Sequence, residues 1–390
     1  MRNIGPEDPR EVGGYRILRV LGAGGMGRVY VGRSRSGRIV AVKVVLPGLA
    51  EDPGFRGRFR REVDAARRVG VTWTAPVLDA DPEAEQPWLV TGYVAGLSLS
   101  EAVALHGPLP GDAVRTLSAG LAEALGGIHE AGVVHRDLKP SNVMLSLDGP
   151  RVIDFGISRA ADASVLTRTG MTVGSPGFMS PEQIEGSDIG PPTDVFSLGA
   201  VLTFAATGAG PFGEGDAQAL LFRILTQEPR LHALPEWLRP VIAACLAKNP
   251  ADRPTPSDVL TAVAPAGGTS ELVAGGWLPP DLITAVSRRA IALLELEDEP
   301  DGVPATAPDL TAADARKPAA PPITEPNPGA PPPLAPTSGD DAVRPEHAAT
   351  VPVPPPTAGT VYVPPPPAPG GAPAPESVAS TPPPTAFAPP

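Results

Sequence analysis

The hydrophobic rhythm of the chain changes twice. Between 15 and 46, apolar and polar positions alternate in the short runs YRILRVLG, RVYVGRS and RIVAVKVV, with a Ser36-Gly37 turn before the last, and this predicts strands. Residues 55–69, FRGRFRREVDAARRV, carry an apolar stripe at helical spacing in a charged background, and WLVTGYV at 88–94 returns to strand. Beyond Gly96 helical patterns dominate, at 112–132, in an apolar run at 195–213, and at 236–250. A small sheet-rich lobe, 15–94, therefore precedes a larger helical one, 97–264, after an N-terminal extension, 1–14.

The run at 195–213 is 19 residues without a charge, close to the length that spans a bilayer. Gly199, Gly208, Gly210, Pro211 and Gly213 interrupt it, so its helix is expected to stop near Thr207, too short to span, and to be buried on all sides in a large domain. After Val263 comes a Gly/Ala/Pro-rich joint within a linker, 265–299. One helix is predicted in that linker, at about 281–296, with Leu282, Val286 and Leu293 on an apolar face that packs on the large lobe or on a partner.

Composition separates the last part from the rest. Of 54 prolines, 28 fall in the final 90 residues, a density that neither helix interiors nor sheet ladders tolerate, so 300–390 is expected to be a disordered or extended tail. Its near-repeat TVPVPPPT (350–357) and TVYVPPPP (360–367) suits polyproline II. Such spacing is common to proline-rich linkers; a spacer is the first reading and a polyproline-recognising partner the second. The tail carries −5 of the net −12, which leaves no basic footprint for nucleic acid or an anionic membrane. The single Cys245, in VIAACLA, excludes an internal disulfide and reads as a buried structural thiol. The stretch MRNIGPEDPREVGGY lacks an apolar core of signal-peptide length, which predicts a cytoplasmic protein.

Gly22, Gly24 and Gly27 stand in G-x-G-x-x-G spacing. A dinucleotide site would need a helix directly afterwards, whereas Val29, Val31 and the turn towards Ile39 and Val40 continue as strand. The glycines thus bridge two strands, either as a plain tight turn or as a loop whose backbone N–H groups cover a triphosphate. Lys43 follows on an apolar strand, where a cation is costly unless it snorkels to water or meets an anion such as a phosphate or Glu62. HRDLKPSN, at 135–142, then precedes Asp154-Phe155-Gly156 by 11 residues.

With these motifs in this order, 15–264 resembles the eukaryotic-like (Hanks-type) serine/threonine protein kinases of bacteria, of the actinobacterial kind with a Pro-rich C-terminal tail. The resemblance implies a bilobal α+β protein-kinase fold that transfers the ATP γ-phosphoryl group to Ser and Thr hydroxyls of proteins. ATP would lie under Leu21, Gly22, Ala23, Gly24, Gly25, Met26 and Gly27, against Val29 and Ala41, with Thr91, Tyr93 and Val94 at the hinge and Thr91 as a small gatekeeper. Lys43 would grip the α- and β-phosphates and Glu62 would fix Lys43. Asp137 would accept or orient the hydroxyl proton, Lys139 would neutralise the γ-phosphate, and Asn142 and Asp154 would hold Mg²⁺, with Mn²⁺ as the alternative. His135 would be a packing element near Phe155.

By the same resemblance, the lysine two residues after Asp137 favours Ser/Thr acceptors, and Ser175 supplies the hydroxyl that touches Asp137 and Lys139. Thr167, Thr169 and Thr172 are candidate autophosphorylation sites, with Arg136 a ready partner for the phosphate. Glu182 should pair with Arg253, and Asp194 with backbone near His135, since a buried charge needs a partner. Phe178 and Gly92 depart from the usual tyrosine and acidic residue, and neither removes a catalytic group. Dimerisation stays open. The rival reading is a pseudokinase scaffold that presents the proline-rich tail, against which the set Lys43, Glu62, Asp137, Asn142 and Asp154 argues.

Overall fold

The computed structural model describes residues 1–70, 72–154, 176–264 and 268–298, with side chains to 294. The chain divides into two compact units, Met1–Asp309 and Leu310–Pro390, and the second lies outside the described residues, as does all of the proline-rich tail.

Six strands build the first sheet: β1 (Glu11–Val12), β2 (Tyr15–Gly24), β3 (Gly27–Arg33), β4 (Ile39–Val45), β5 (Val77–Asp81) and β6 (Trp88–Gly92). They run antiparallel in the order β1-β2-β3-β4-β6-β5. Alternation along β4 puts Val40, Val42 and Val44 into a core with Ile17, Val20, Tyr30, Trp88 and Val90. The other face carries Val29, Ala41, Lys43 and Thr91, all only half-buried. Strand β5, VLDAD, was not expected; its two acids mask the alternation, and it forms at the sheet edge by pairing with β6.

Two helices follow β4, α1 (Pro47–Ala50) and α2 (Pro53–Ala66). Asp52 caps α2 by accepting from Gly54 N–H at 2.8 Å, and Pro53 sits in the first turn. Phe55, Phe59, Val63 and Ala66 recur at helical spacing and are all buried, which turns most of the charged remainder outward but leaves the Glu62 carboxyl inside.

The large lobe opens with β7 (Leu97–Ser98), α3 (Leu99–His106) and α4 (Gly111–Glu130). A second sheet, β7-β8-β9, adds β8 (Val143–Ser146) and β9 (Gly149–Val152). Then come α5 (Pro181–Glu185), α6 (Pro191–Thr207), α7 (Ala217–Thr226), α8 (Arg239–Cys245), α9 (Pro256–Val263), α10 (Gly268–Ala274) and α11 (Pro280–Asp298). Helix α6 takes in the uncharged run from Val195 to Thr207; it is buried on nearly every side and ends at Gly208, whose φ of 77° closes the helix as only glycine does cheaply. Among the described residues no helix is long and apolar enough to cross a membrane.

Two expectations need correction. The pattern at 236–250 yields only the seven residues of α8, because Pro240 restricts the residue before it and can sit only in a first turn, and Pro250 opens a separate 3-10 turn. The joint after Val263 is not merely a connector: α10 lies within it and packs on α4, where Thr269 donates from N–H (2.9 Å) and Oγ1 (2.8 Å) to Glu123. Helix α11 docks on the large lobe. Trp277, Leu278, Leu282 and Val286 enter the main core, and Trp277 Nε1 donates to the Ser146 carbonyl at 3.0 Å. Each such apolar side chain contributes about 1.5–3 kcal/mol on burial.

Candidate active site

Asp194, in the first turn of α6 and fully buried, organises the floor of the site. Its Oδ2 accepts from His135 N–H at 2.7 Å and meets His129 Nε2 at 2.7 Å, while Oδ1 accepts from Arg136 N–H at 2.8 Å. Arg136 needs that grip. Together with Asp154 it is one of two described non-glycine residues with positive φ, 65° and 58°, a conformation that persists only where surroundings impose it. Gln183 Nε2 completes the clamp by donating to the Arg136 carbonyl at 2.8 Å. Neither His129 nor Gln183 was singled out from sequence; only the Ser180–Gln183 capping box marked the second.

Directly after this clamped backbone stands Asp137, whose Oδ2 takes hydrogen bonds from Lys139 Nζ at 2.9 Å and Asn142 Nδ2 at 3.3 Å. Asn142 Nδ2 also donates to the Asp137 carbonyl at 2.8 Å, which fixes the loop across its width. The Asn142 carbonyl accepts from Ile153 N–H at 3.0 Å, so the hairpin of β8 and β9 returns the chain beside Asn142 just before Asp154. His135 is fully buried, with Nε2 3.2 Å from the Ile153 carbonyl and Nδ1 accepting from Asp137 N–H at 3.3 Å. Below the loop, Glu182 and Arg253 form a bidentate pair at 2.7 and 2.8 Å, and Thr193 Oγ1 adds a bond to Glu182 at 2.7 Å. Burial opposes ionisation of Glu182, but Arg253 and Thr193 outweigh it and hold the carboxyl below its usual range.

The opposite wall is the half-buried face of the first sheet. Register places Lys43 between Val29 and Leu89, and Ala41 between Val31 and Thr91. Lys43 Nζ lies 3.6 Å from Asp154 Oδ1. This corrects one expectation: Lys43 pairs with Asp154 and not with Glu62. The Glu62 carboxyl is buried with Oε2 lacking any hydrogen-bond partner, and burial pushes it up to about 7 against the pull of Arg136, Arg58 and Lys43. Arg136 Nε is likewise buried and without a partner.

The glycine turn joins β2 to β3 with Gly24 opposite Gly27, a strand–turn–strand and not a strand–turn–helix. Gly27 is required by packing, since a Cβ there would stand 2.1 Å from the Val44 carbonyl oxygen. Gly22, Gly24 and Gly25 differ: none has positive φ, and a Cβ on any of them would meet nothing within 4 Å. Neither conformation nor packing asks for glycine at these three, whereas close approach of a phosphate to their backbone does. Leu21, Ala23 and Met26 complete the turn, with Ala23 exposed and Leu21 and Met26 half-buried.

At the hinge, Gly92 N–H donates to the Pro76 carbonyl at 2.9 Å, and a Cβ would stand 3.2 Å from Pro76 Cδ, a tight contact. Tyr93 and Val94 follow, both half-buried. Burial raises the Tyr93 hydroxyl above its usual range against the pull of Arg289 of α11, which also lies 3.4 Å from Glu101. Cys245 is buried and its thiol is pushed up to about 12, as suits an inert side chain.

Asn142 and Asp154 offer one amide and one carboxylate, and no group of three or more His, Cys, Asp or Glu gathers among the described residues. That donor set suits a divalent cation that keeps waters and phosphate oxygens as its other ligands. Phe155, Gly156, Thr167, Thr169, Thr172 and Ser175 lie outside the described residues.

The protein kinase domain family matches residues 15–263. PkwA of Thermomonospora curvata, named a probable serine/threonine-protein kinase, is 50% identical over 277 residues, 71% of this chain and 37% of that protein. The serine/threonine-protein kinase AfsK of Streptomyces coelicolor is 49% identical over 310 residues, 78% of this chain and 38% of that one. The chain therefore spans under two fifths of the length of either relative. Among solved structures, the Mycobacterium tuberculosis PknI kinase domain is 26% identical with a TM-score of 0.51, covering 71% of this chain and 97% of that domain.

Proposed function

The chain belongs to the protein kinase domain family, and on that premise we propose that it is a serine/threonine protein kinase, moving the ATP γ-phosphoryl group onto Ser and Thr hydroxyls of proteins and of itself. The observation that carries the reading is Asp137, presented between Lys139 and Asn142 on a backbone clamped at both ends by Asp194 and Gln183. Phosphoryl transfer needs little covalent help and much positioning, and a floor whose polar groups are held in advance supplies it.

In this reading the substrate hydroxyl donates towards the Asp137 carboxylate, and Lys139 faces the negative charge of the transferring group. Lys43 holds the α- and β-phosphates under Gly22, Gly24 and Gly25. Asn142 and Asp154 would hold a divalent cation, Mg²⁺ ahead of Mn²⁺, which neutralises phosphate charge when bound. For Glu62 to support Lys43 it must leave the neighbourhood of Arg136. A phosphate on Thr167 or Thr169 offers Arg136 a stronger anion than Glu62 and would release the carboxylate to Lys43. The demand for ATP fits the cytoplasmic setting read from the sequence, and the tail at 300–390 serves as a spacer, with a polyproline-recognising partner its alternative use.

Incubation of the full chain with Mg²⁺ and γ-labelled ATP, beside Lys43→Met and Asp137→Asn, tests the proposal. Label on Thr167 or Thr169 in the wild type, and a fall of about 10²-fold or more in both variants, is expected. Absence of label in the wild type, with a general protein substrate also untouched, would sink it in favour of the scaffold.

A further inference from the structure

Residues 1–14 precede the part of the chain that the family matches, yet they are built into its sheet. Arg2 exchanges two backbone hydrogen bonds with Val20, at 3.0 and 2.9 Å, and β1 pairs with Tyr15 and Arg16, so the segment lines the outer edge of β2 from Tyr15 to Val20. Asp8 lies in the middle of it with its side chain wholly hidden from solvent. Its Oδ1 accepts from Arg28 Nη1 at 2.7 Å and Tyr30 OH at 3.1 Å, and its Oδ2 from Gly5 N–H at 2.9 Å and Arg2 Nη1 at 3.1 Å. The Gly5 N–H leads in holding this carboxyl down at about 2, with Arg28 and Tyr30 adding to it against the cost of burial.

The place of these contacts matters more than their number. Val20 stands immediately before the register shift between Val20 and Gly22, and Arg28 is the first residue after Gly27. One backbone grip at Val20 and one ion pair at Arg28, which lies opposite Ala23, thus hold the two legs of the hairpin from outside, while Gly22, Gly24 and Gly25 at its tip are exposed and a Cβ on any of them would meet nothing within 4 Å. From Val20 to Gly24 the leg is about 13 Å long, so a tilt of about 5° at the root moves the tip by about 1 Å. Displacements of that size at a phosphate site cost rate or affinity steeply.

We propose that Asp8 is a positioning residue for the glycine turn: from outside the sheet it fixes, through Arg28 and Tyr30, the angle at which the hairpin covers the nucleotide phosphates. The role of the turn over ATP rests on the kinase reading above; the clamp itself does not.

The experiment uses the full chain with Asp8→Asn, which keeps the shape and an acceptor for Gly5 but removes the charge opposite Arg28. The KM for ATP should rise about tenfold with kcat within about twofold, and amide hydrogen exchange over 22–27, measured without nucleotide, should quicken severalfold. The double variant Asp8→Asn/Arg28→Gln should be no worse than either single one, because the two share one link. Tyr15→Phe, which loses the bond to Asp79 (3.2 Å) at the far end of β2, is the control for general loosening. If Asp8→Asn lowers Tm as Tyr15→Phe does but leaves the KM for ATP and the exchange over 22–27 unchanged, the positioning role is wrong. A wild type that transfers no phosphate would overturn the kinase reading alone, since the exchange measurement still decides the clamp.

Discussion

The floor and the roof of the candidate site are built in opposite ways. On the floor, the Arg136 backbone is held at N–H by Asp194 and at the carbonyl by Gln183, and Asp137 is bonded by Lys139 and Asn142. On the roof, a Cβ on Gly22, Gly24 or Gly25 would meet nothing within 4 Å, and the turn is held by its own ladder, by Leu46 N–H on the Met26 carbonyl at 2.9 Å and, from outside the sheet, by Asp8 on Arg28. In the proposed kinase reading the difference follows from the tasks. Groups that stabilise charge in a transition state work best when they need not reorganise, whereas a cover over a nucleotide must admit and release it at each turnover. Strain is accordingly concentrated in the rigid part: the two described non-glycine residues with positive φ are Arg136 and Asp154.

The largest effect should come from breaking the floor. Asp194→Ala leaves the His135 and Arg136 N–H groups and His129 without their buried acceptor, and should cost about 3–5 kcal/mol of stability and at least about 10²-fold in transfer rate. Urea unfolding together with initial-rate measurements would check both. A variant that kept wild-type rate would mean that the strained backbone is not maintained by this clamp.

Glu62 stands where roof and floor meet, and its pH response should come next. Its carboxyl titrates near 7 when folded against 4.5 when exposed, so the folded form binds the extra proton between those values. The Glu62 contribution to wild-type stability should therefore be fully present below about pH 4.5, fall by about 2–3 kcal/mol as pH rises to about 7, and level off above. Glu62→Gln abolishes the titration, and its advantage over wild type in unfolding experiments should open across that window and stay constant beyond it. An advantage independent of pH would show that Glu62 is not buried beside Arg136 in solution.

Within the roof, two glycines should separate packing from ligand approach. Gly27→Ala forces a Cβ against the Val44 carbonyl and should cost about 1–3 kcal/mol, seen as a lower Tm. Gly24→Ala should leave Tm within about a degree, as open surface positions do, while weakening ATP binding in a direct titration. Equal effects of the two on both readouts would erase the distinction between a packed and an open glycine.

Much of this was legible along the chain. The uncharged run at 195–213 announced a buried helix that stops at Thr207, and the strand residues after Gly27 excluded a dinucleotide turn, because both are decided by neighbours a few residues away. The spacing of His135, Asp137, Lys139, Asn142 and Asp154 announced a charged site before any geometry was known. Strand β5 and helix α10 were not legible: the first has acids that blur its alternation, and the second is a short helix anchored by Glu123, a residue 146 positions away from Thr269. Helix α11 was predicted, but its berth on the large lobe depends on a pocket assembled from distant segments.

Sequence by itself therefore determined most of the elements, the division into a sheet-rich and a helical lobe, and the residue types available to the candidate site. Periodicity, capping and turn chemistry are local, and a local signal survives in one dimension. Tertiary structure alone decided who partners whom: Lys43 with Asp154 instead of Glu62, Gln183 with the Arg136 carbonyl, Asp8 with Arg28. Such choices depend on ångström-scale placement of elements far apart in the chain. Ion pairs and hydrogen bonds fall off over that same distance, so no pattern of residue types could have settled them.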